Sequence, residues 1–304
     1  FWMFRYIERA ENTARLIDAG LRMSLTRMHG HEDEWESVLR SSGVYSSYLA
    51  ANPEVTGADA INYLLRDKSN PSSILSAIEA ARNNGRMVRT ALTTDVWEAT
   101  NAAYMRSKEL LARKVPERDL PNTLKLIRQR TALVRGATHG TMLRNDIYDF
   151  ARIGTFLERA DNTARILDVK YYVLLPSVIH VGSSLDNVQW ETILRSVSAQ
   201  RAYRWLNAGD INPKGIAEFL IRDRRLPRSL AFCYTKLVDN LGYLADDYGH
   251  RLPCHDLSEE VLAKLRGHTI DTIFDQGLHQ FLEEFLSANN LLGRQIEQDY
   301  RFYR

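Results

Sequence analysis

The sequence has 304 residues, 44% of them hydrophobic and 26% charged, with a formal net charge of +2. That balance supplies a globular core and gives no support to a nucleic-acid or anionic-membrane surface, which needs clustered positive charge. Two cysteines, Cys233 and Cys254, form neither a metal-ligand pattern nor a disulfide framework and suit a reducing cytoplasm; no apolar run nears the roughly 20 residues of a membrane span.

The chain opens on Phe1-Trp2-Met3-Phe4, without an initiator methionine and already in helical pattern, so a few residues are expected to precede it. Met3, Ile7, Ala10, Ala14, Ile17 and Leu21 recur at helical spacing and make one apolar stripe of a first helix. The same helix carries ERAENTARLID, residues 8–18. At roughly 100° per residue, Glu8, Glu11, Asn12 and Arg15 fall within about 100° of arc, with Ala10, Ala14 and Ile17 opposite. Glu11 and Arg15 form an acid-first pair four residues apart, the favourable order on a helix.

His29 and His31, with Glu32 and Glu34, read as a solvated polar cluster between helices rather than as metal ligands. Trp35, Trp97 and Trp190 are expected to pack in the bundle. Thr56-Gly-Ala-Asp59 reads as a capping box, and Asn70-Pro71 as an N-cap followed by proline at the first helical position. Ile74, Leu75, Ile78 and Ala81 continue a helix in which Gly85 costs about 1 kcal/mol relative to alanine. Residues 116–144 read as a connecting helical segment. It leads to His139-Gly140-Thr141-Met142-Leu143-Arg144, where Gly140 turns the chain and Thr141 caps the next helix. His139 and Arg144 are candidate binding residues.

That next helix carries ERADNTARILD, residues 158–168, with Glu158, Asp161, Asn162 and Arg165 in the second stripe and Arg159 beside it. The two copies differ by Glu11 for Asp161 and by a leucine–isoleucine exchange at two positions. The run Tyr171 to Leu175 reads as the end of a long helix stopped by Pro176. Trp190 to Ser196 repeats Trp35 to Ser41, and Leu220-Ile-Arg-Asp223 with Pro227 repeats Leu64-Leu-Arg-Asp67 with Pro71. The basic run Arg222-Asp-Arg-Arg225 reads as a solvated helix end. Asp256-Leu-Ser-Glu259 resembles another capping box, and Leu278, Phe281, Leu282, Phe285, Leu292 and Ile296 stripe the last helix.

Three matches in one order argue for duplication of a unit of roughly 150 residues. The expectation is one all-α domain over 1–304, a helical bundle of about ten to twelve helices. Its repeats are approximately 1–115 and 145–304, related by a pseudo-twofold axis. The repeated stripes read in three ways: as a register lock between helices, as the wall of a cleft gripping a ligand, or as a carboxylate metal site. The third is disfavoured because the Glu-x-x-His partner is absent and arginine in the same arc opposes a cation. There is no phosphate-binding loop, no dinucleotide fingerprint and no nucleophile elbow, so no cofactor or metal is expected.

FWMFRYIERAENTARLID, LLRDKSNPSSILSAIEAARNNGRMVR and HGTMLRNDIYDFARIGTFLERADNTARILDVKYY resemble the alpha-E family, an all-helical bacterial domain named for its Glu-Arg motif, over nearly the whole chain. That motif maps onto Glu8-Arg9 and Glu158-Arg159. Gly154-Thr155 stands where relatives tend to have Gly-Arg, and Asn84-Gly85-Arg86 where they tend to have Asn-Ala-Arg. The resemblance implies company with circularly permuted ATP-grasp proteins, and with transglutaminase-like proteases and a proteasome-like hydrolase as further neighbours. It therefore implies a cytoplasmic role in an ATP-dependent amide- or peptide-forming system. The leading expectation is an accessory protein that binds the ligase, or its peptide or amino-acid substrate, through the motif helices. The alternatives are a transferase or hydrolase using Glu8, Glu11, Glu158 and Asp161 as acid and base, and a structural scaffold.

Overall fold

The structure is a computed structural model that describes residues 1–25, 31–174, 184–207 and 212–302, without the side chains of 31–33, 170–174 and 184–186. His29, Leu175 and Pro176, and the side chains of His31, Glu32 and Tyr171, lie outside the described residues. Among the described residues the fold is all-α, with fifteen α-helices and no strand. The count exceeds the expected ten to twelve because α3 (Tyr45–Leu49), α10 (Gln200–Leu206) and α14 (Ile270–Gln276) span only 5, 7 and 7 residues. Such lengths are too short to display a hydrophobic period.

The helices fall into two compact units, Phe1–Thr155 and Phe156–Arg304. The first contains α1 (Trp2–Ser24), α2 (His31–Ser41), α3, α4 (Gly57–Arg66), α5 (Ile74–Met87), α6 (Thr94–Leu110), α7 (Leu120–Thr141) and the first turns of α8 (Asp146–Leu174). Its centre is α1, which is buried around almost its whole circumference and packs chiefly on α5 and α7. Helix α6 packs on both α5 and α7, completing a four-helix arrangement. Most of the segment read as a connector is therefore α7, a core helix of this unit.

Helix starts follow side-chain caps. Thr56 accepts the Asp59 N–H at 3.2 Å and opens α4 where the sequence places it. Helix α5 starts three residues later than Asn70-Pro71 suggests. Ser73 caps it by accepting from Ser76 N–H at 3.3 Å, while Asn70 folds into a local turn, accepting from Ser72 N–H at 2.9 Å and donating to the Tyr63 carbonyl at 3.2 Å. Gly140 does not turn the chain: α7 runs through it to Thr141, whose hydroxyl donates to the Ala137 carbonyl at 2.8 Å. The first turn of α8 is held by Asn145, which accepts from Tyr148 N–H at 3.3 Å.

The second unit holds the rest of α8, α9 (Ser184–Ser196), α10, α11 (Pro213–Arg222), α12 (Leu230–Tyr248), α13 (Pro253–Gly267), α14 and α15 (Leu278–Asp299). Helix α12 packs on α13, and α13 on α15. Ser229 caps α12, accepting from Phe232 N–H at 3.0 Å. Helix α13 begins ahead of Asp256 because Pro253 occupies its first turn and His255 Nδ1 accepts the Leu252 N–H at 2.9 Å. Trp35 and Trp190 are buried as expected, whereas Trp97 is half-buried beneath the guanidinium groups of Arg82 and Arg89.

Candidate functional site

The polar stripe of α1 faces inward. Glu8, Glu11, Asn12, Arg15 and Asp18 are all buried, with Glu8 at 0% and Glu11 at 1% exposure. Arg15 grips Glu11 Oε1 through Nε at 3.0 Å and Nη2 at 2.8 Å. The other oxygen of Glu11 accepts the Thr131 hydroxyl at 2.9 Å and a short bond from Arg135 Nη1. Arg135 Nη1 also reaches Glu8 at 3.3 Å. One turn farther, Asp18 is shared between Arg22 at 3.2 Å and Arg128 at 3.6 Å. Burial pulls the Arg128 guanidinium below its usual value, and Asp18 pulls it back. Low-numbered residues of α1 thus meet high-numbered residues of α7, so the two helices run antiparallel and their polar rows interlock. Paired and hydrogen-bonded, these charges are tolerated; each would be costly alone.

Arg15 forms the acid-first pair with Glu11 that the sequence spacing expects. The bridging cations come from α7. Arg128, Thr131, Arg135 and Thr138 repeat the three-and-four spacing of Glu8, Glu11, Arg15 and Asp18, which is the signal that could have found them. Arg9 sits half-buried over the Tyr6 ring, 5.4 Å from its centroid.

In the second unit, Asp161 and Arg165 pair at 2.5 Å and are half-buried. Glu158 and Asn162 are buried, and Arg159, 9% exposed, stacks on Phe156 and reaches the Pro227 carbonyl at 3.5 Å. Asp168, the counterpart of Asp18, bonds His279 Nδ1 of α15 at 2.6 Å. Burial raises the Asp168 carboxyl above the usual range, and the His279 hydrogen bond opposes that rise. Asn289 of α15 accepts the fully buried Tyr234 hydroxyl at 2.9 Å and donates to the Leu157 carbonyl at 3.3 Å. Among the described residues, the Asn162 amide finds no partner for its donor or its acceptor. Among the described residues, no three His, Cys, Asp or Glu side chains cluster as metal ligands.

His139 and Arg144 meet at Tyr148. His139 Nδ1 lies 2.9 Å from the Tyr148 hydroxyl, and the Arg144 guanidinium sits over the Tyr148 ring at 4.0 Å while donating to the His139 carbonyl at 2.6 Å. A larger pocket, about 380 Å³, lies over α4 against Trp35, Ile61 and Asn62, with Lys114 and Glu117 at its edge. None of the sequence-predicted candidates lines it.

Residues 1–301 match the alpha-E family, described as "a predicted alpha-helical domain with a conserved ER motif". The chain belongs to the alpha-E family. The two Glu-Arg pairs fall in α1 and α8 of this alpha-E chain, in both cases with the glutamate in the polar stripe and the arginine over a neighbouring aromatic ring. The chain is also 24% identical to the uncharacterized proteins Mb2597 of Mycobacterium bovis and Rv2567 of Mycobacterium tuberculosis. Each alignment covers 95% of this chain and 34% of the relative, so the chain spans about a third of the length of the curated relatives it matches. No solved structure matches. Among the described residues, no helix of this alpha-E chain is long and apolar enough to cross a membrane.

Proposed function

We propose that this alpha-E chain is a helical accessory protein of an ATP-dependent amide- or peptide-forming system. In this reading it binds an ATP-grasp ligase, or that ligase's peptide or amino-acid substrate. The observation that carries the reading is the burial of Glu8 and Glu11 against Arg135, Arg15 and Thr131. A general acid or base must exchange protons with a substrate, whereas these carboxylates are spent holding α1 to α7. The motif helices then serve as the frame that presents a binding face. Duplication belongs to the same proposal. Thr13 donates to the Ser72 carbonyl at 3.4 Å and Thr163 to the Arg228 carbonyl at 2.7 Å, each beside a serine cap. Tyr48 meets Tyr63, and Tyr203 meets Phe219, edge to face at corresponding places.

Co-purification with an ATP-grasp protein encoded beside it tests the proposal. The expected result is association, or a changed ligase turnover when the chain is added; a ligase that neither associates nor responds sinks it. Glu8→Gln and Glu158→Gln are expected to lower the melting temperature before any activity is lost. Turnover abolished at an unchanged melting temperature would instead favour the enzymatic alternative.

A further inference from the structure

Between α1, the last turns of α7 and the first turns of α8 lies a notch of about 20 Å³, room for roughly one water-sized atom. Phe4 and Ala151 form apolar walls, and Arg135, His139, Tyr148 and Arg152 supply polar ones; among the described residues no carboxylate lines it. Arg135 enters already anchored. Its Nη1 is committed to Glu8 and Glu11, and among the described residues its Nε and Nη2 meet no acceptor. A guanidinium fixed at one end loses little rotamer freedom when its other edge binds.

The His139–Tyr148 bond adds a second donor whichever tautomer is present. If Nδ1 accepts from the hydroxyl, Nε2 keeps its hydrogen; if Nδ1 donates, the hydroxyl keeps its own. Arg144 and Arg152 lie over the Tyr148 ring at 4.0 and 5.9 Å and fix its position while adding positive charge. The notch therefore offers several donors, fixed in advance, and no acidic acceptor.

We infer that this notch is an oxyanion subsite that takes the carboxylate of a small acid or a peptide terminus. One oxygen enters the void and the other lies at its mouth along the open Arg135 edge, the fork geometry that suits a planar carboxylate. The assignment concerns the site itself and does not depend on a ligase partner.

The test is a titration of the ¹⁵N-labelled full chain with N-acetylglycine, following the Arg135 Nε–H and His139 ring signals, with chloride at matched ionic strength as control and inorganic phosphate as a second arm. Saturable binding at about 1–10 mM is expected for the carboxylate, with none for chloride. Arg135→Gln would disturb the buried pairs, so the variants are His139→Ala and Tyr148→Phe. Each is expected to weaken binding by about fivefold or more at an unchanged melting temperature. No saturable shift, a response equal to that with chloride, binding by both variants as tight as the parent's, or tighter binding of phosphate than of the carboxylate would each overturn the assignment.

Discussion

Arg135 is the residue on which the α1–α7 lock turns, because its Nη1 alone serves two buried carboxylates. Removing it leaves Glu8 and Glu11 at 0% and 1% exposure with a missing partner. Breaking one side of a buried pair costs about 3–5 kcal/mol; Arg135 is partly solvated, so Arg135→Gln is expected near the lower end, read as a fall in the urea midpoint at constant slope. Adding Glu8→Gln should restore part of the loss, because Glu11 keeps Arg15 as its partner. A single substitution that leaves the midpoint unmoved would show that the lock contributes little. Asp168 makes a second case, with a sign that can be checked. Burial raises its carboxyl above the ordinary value of 3.8, so the folded state favours its protonated form. That contribution is fully present below the unfolded value and is lost as pH rises through the raised folded one. Asp168→Asn keeps an acceptor for His279 and removes the ionisation. Its melting temperature relative to the parent is expected to climb as pH rises above about 4; a flat or falling difference would refute the assignment. The motif residues of this site were legible in the sequence, since local spacing alone puts Glu8, Glu11 and Arg15 on one face. Their partners were not, because pairing between α1 and α7 is long-range and leaves no local period.

Two glycines behave in opposite ways at the scale of a helix. Gly85 lies inside α5, and a Cβ there would sit 3.1 Å from Met3 Sδ, the flexible end of a side chain. Gly85→Ala therefore gains helix propensity while Met3 moves aside, and is expected to stabilise by about 0.5–1 kcal/mol. Gly154 lies inside α8, and a Cβ there would stand 2.5 Å from the Phe1 backbone carbonyl, which also accepts from Phe4 and Arg5 N–H to start α1. A carbonyl so engaged cannot swing away, so Gly154→Ala is expected to destabilise by about 1–3 kcal/mol. Thermal melts of the two variants should move in opposite directions, and a matched shift would contradict this packing. Helical periodicity made the all-α class readable, and Thr56 gave the start of α4 correctly. It misplaced the starts of α5 and α13 because several cap-forming residues compete there: Ser73 prevails over Asn70, and Pro253 with His255 prevails over Asp256. Gly85 read as a weakness from propensity alone; only the structure shows which neighbour it faces.

At the scale of the whole molecule, each unit has its own buried core, and the two cysteines belong to the second. Both are wholly buried, Cys233 on α12 and Cys254 in the first turn of α13. Burial pushes the Cys254 thiol up, and Asp299 beside it pushes it further. The reactive species is the thiolate, so both access and ionisation oppose reaction. The folded chain is expected to resist alkylation by iodoacetamide at mildly alkaline pH, and to gain two labels per chain once denaturant opens the second unit. Intact-mass measurement across a urea series then reports the opening of that unit through its own thiols. Fluorescence of Trp35, buried in the first unit at 3% exposure, supplies an independent signal from the other core, read as the difference between the parent and Trp35→Phe because the other four tryptophans emit in the same band. Labelling of either thiol at native conditions, at a rate near that of a free peptide thiol, would contradict the packing of α12 and α13.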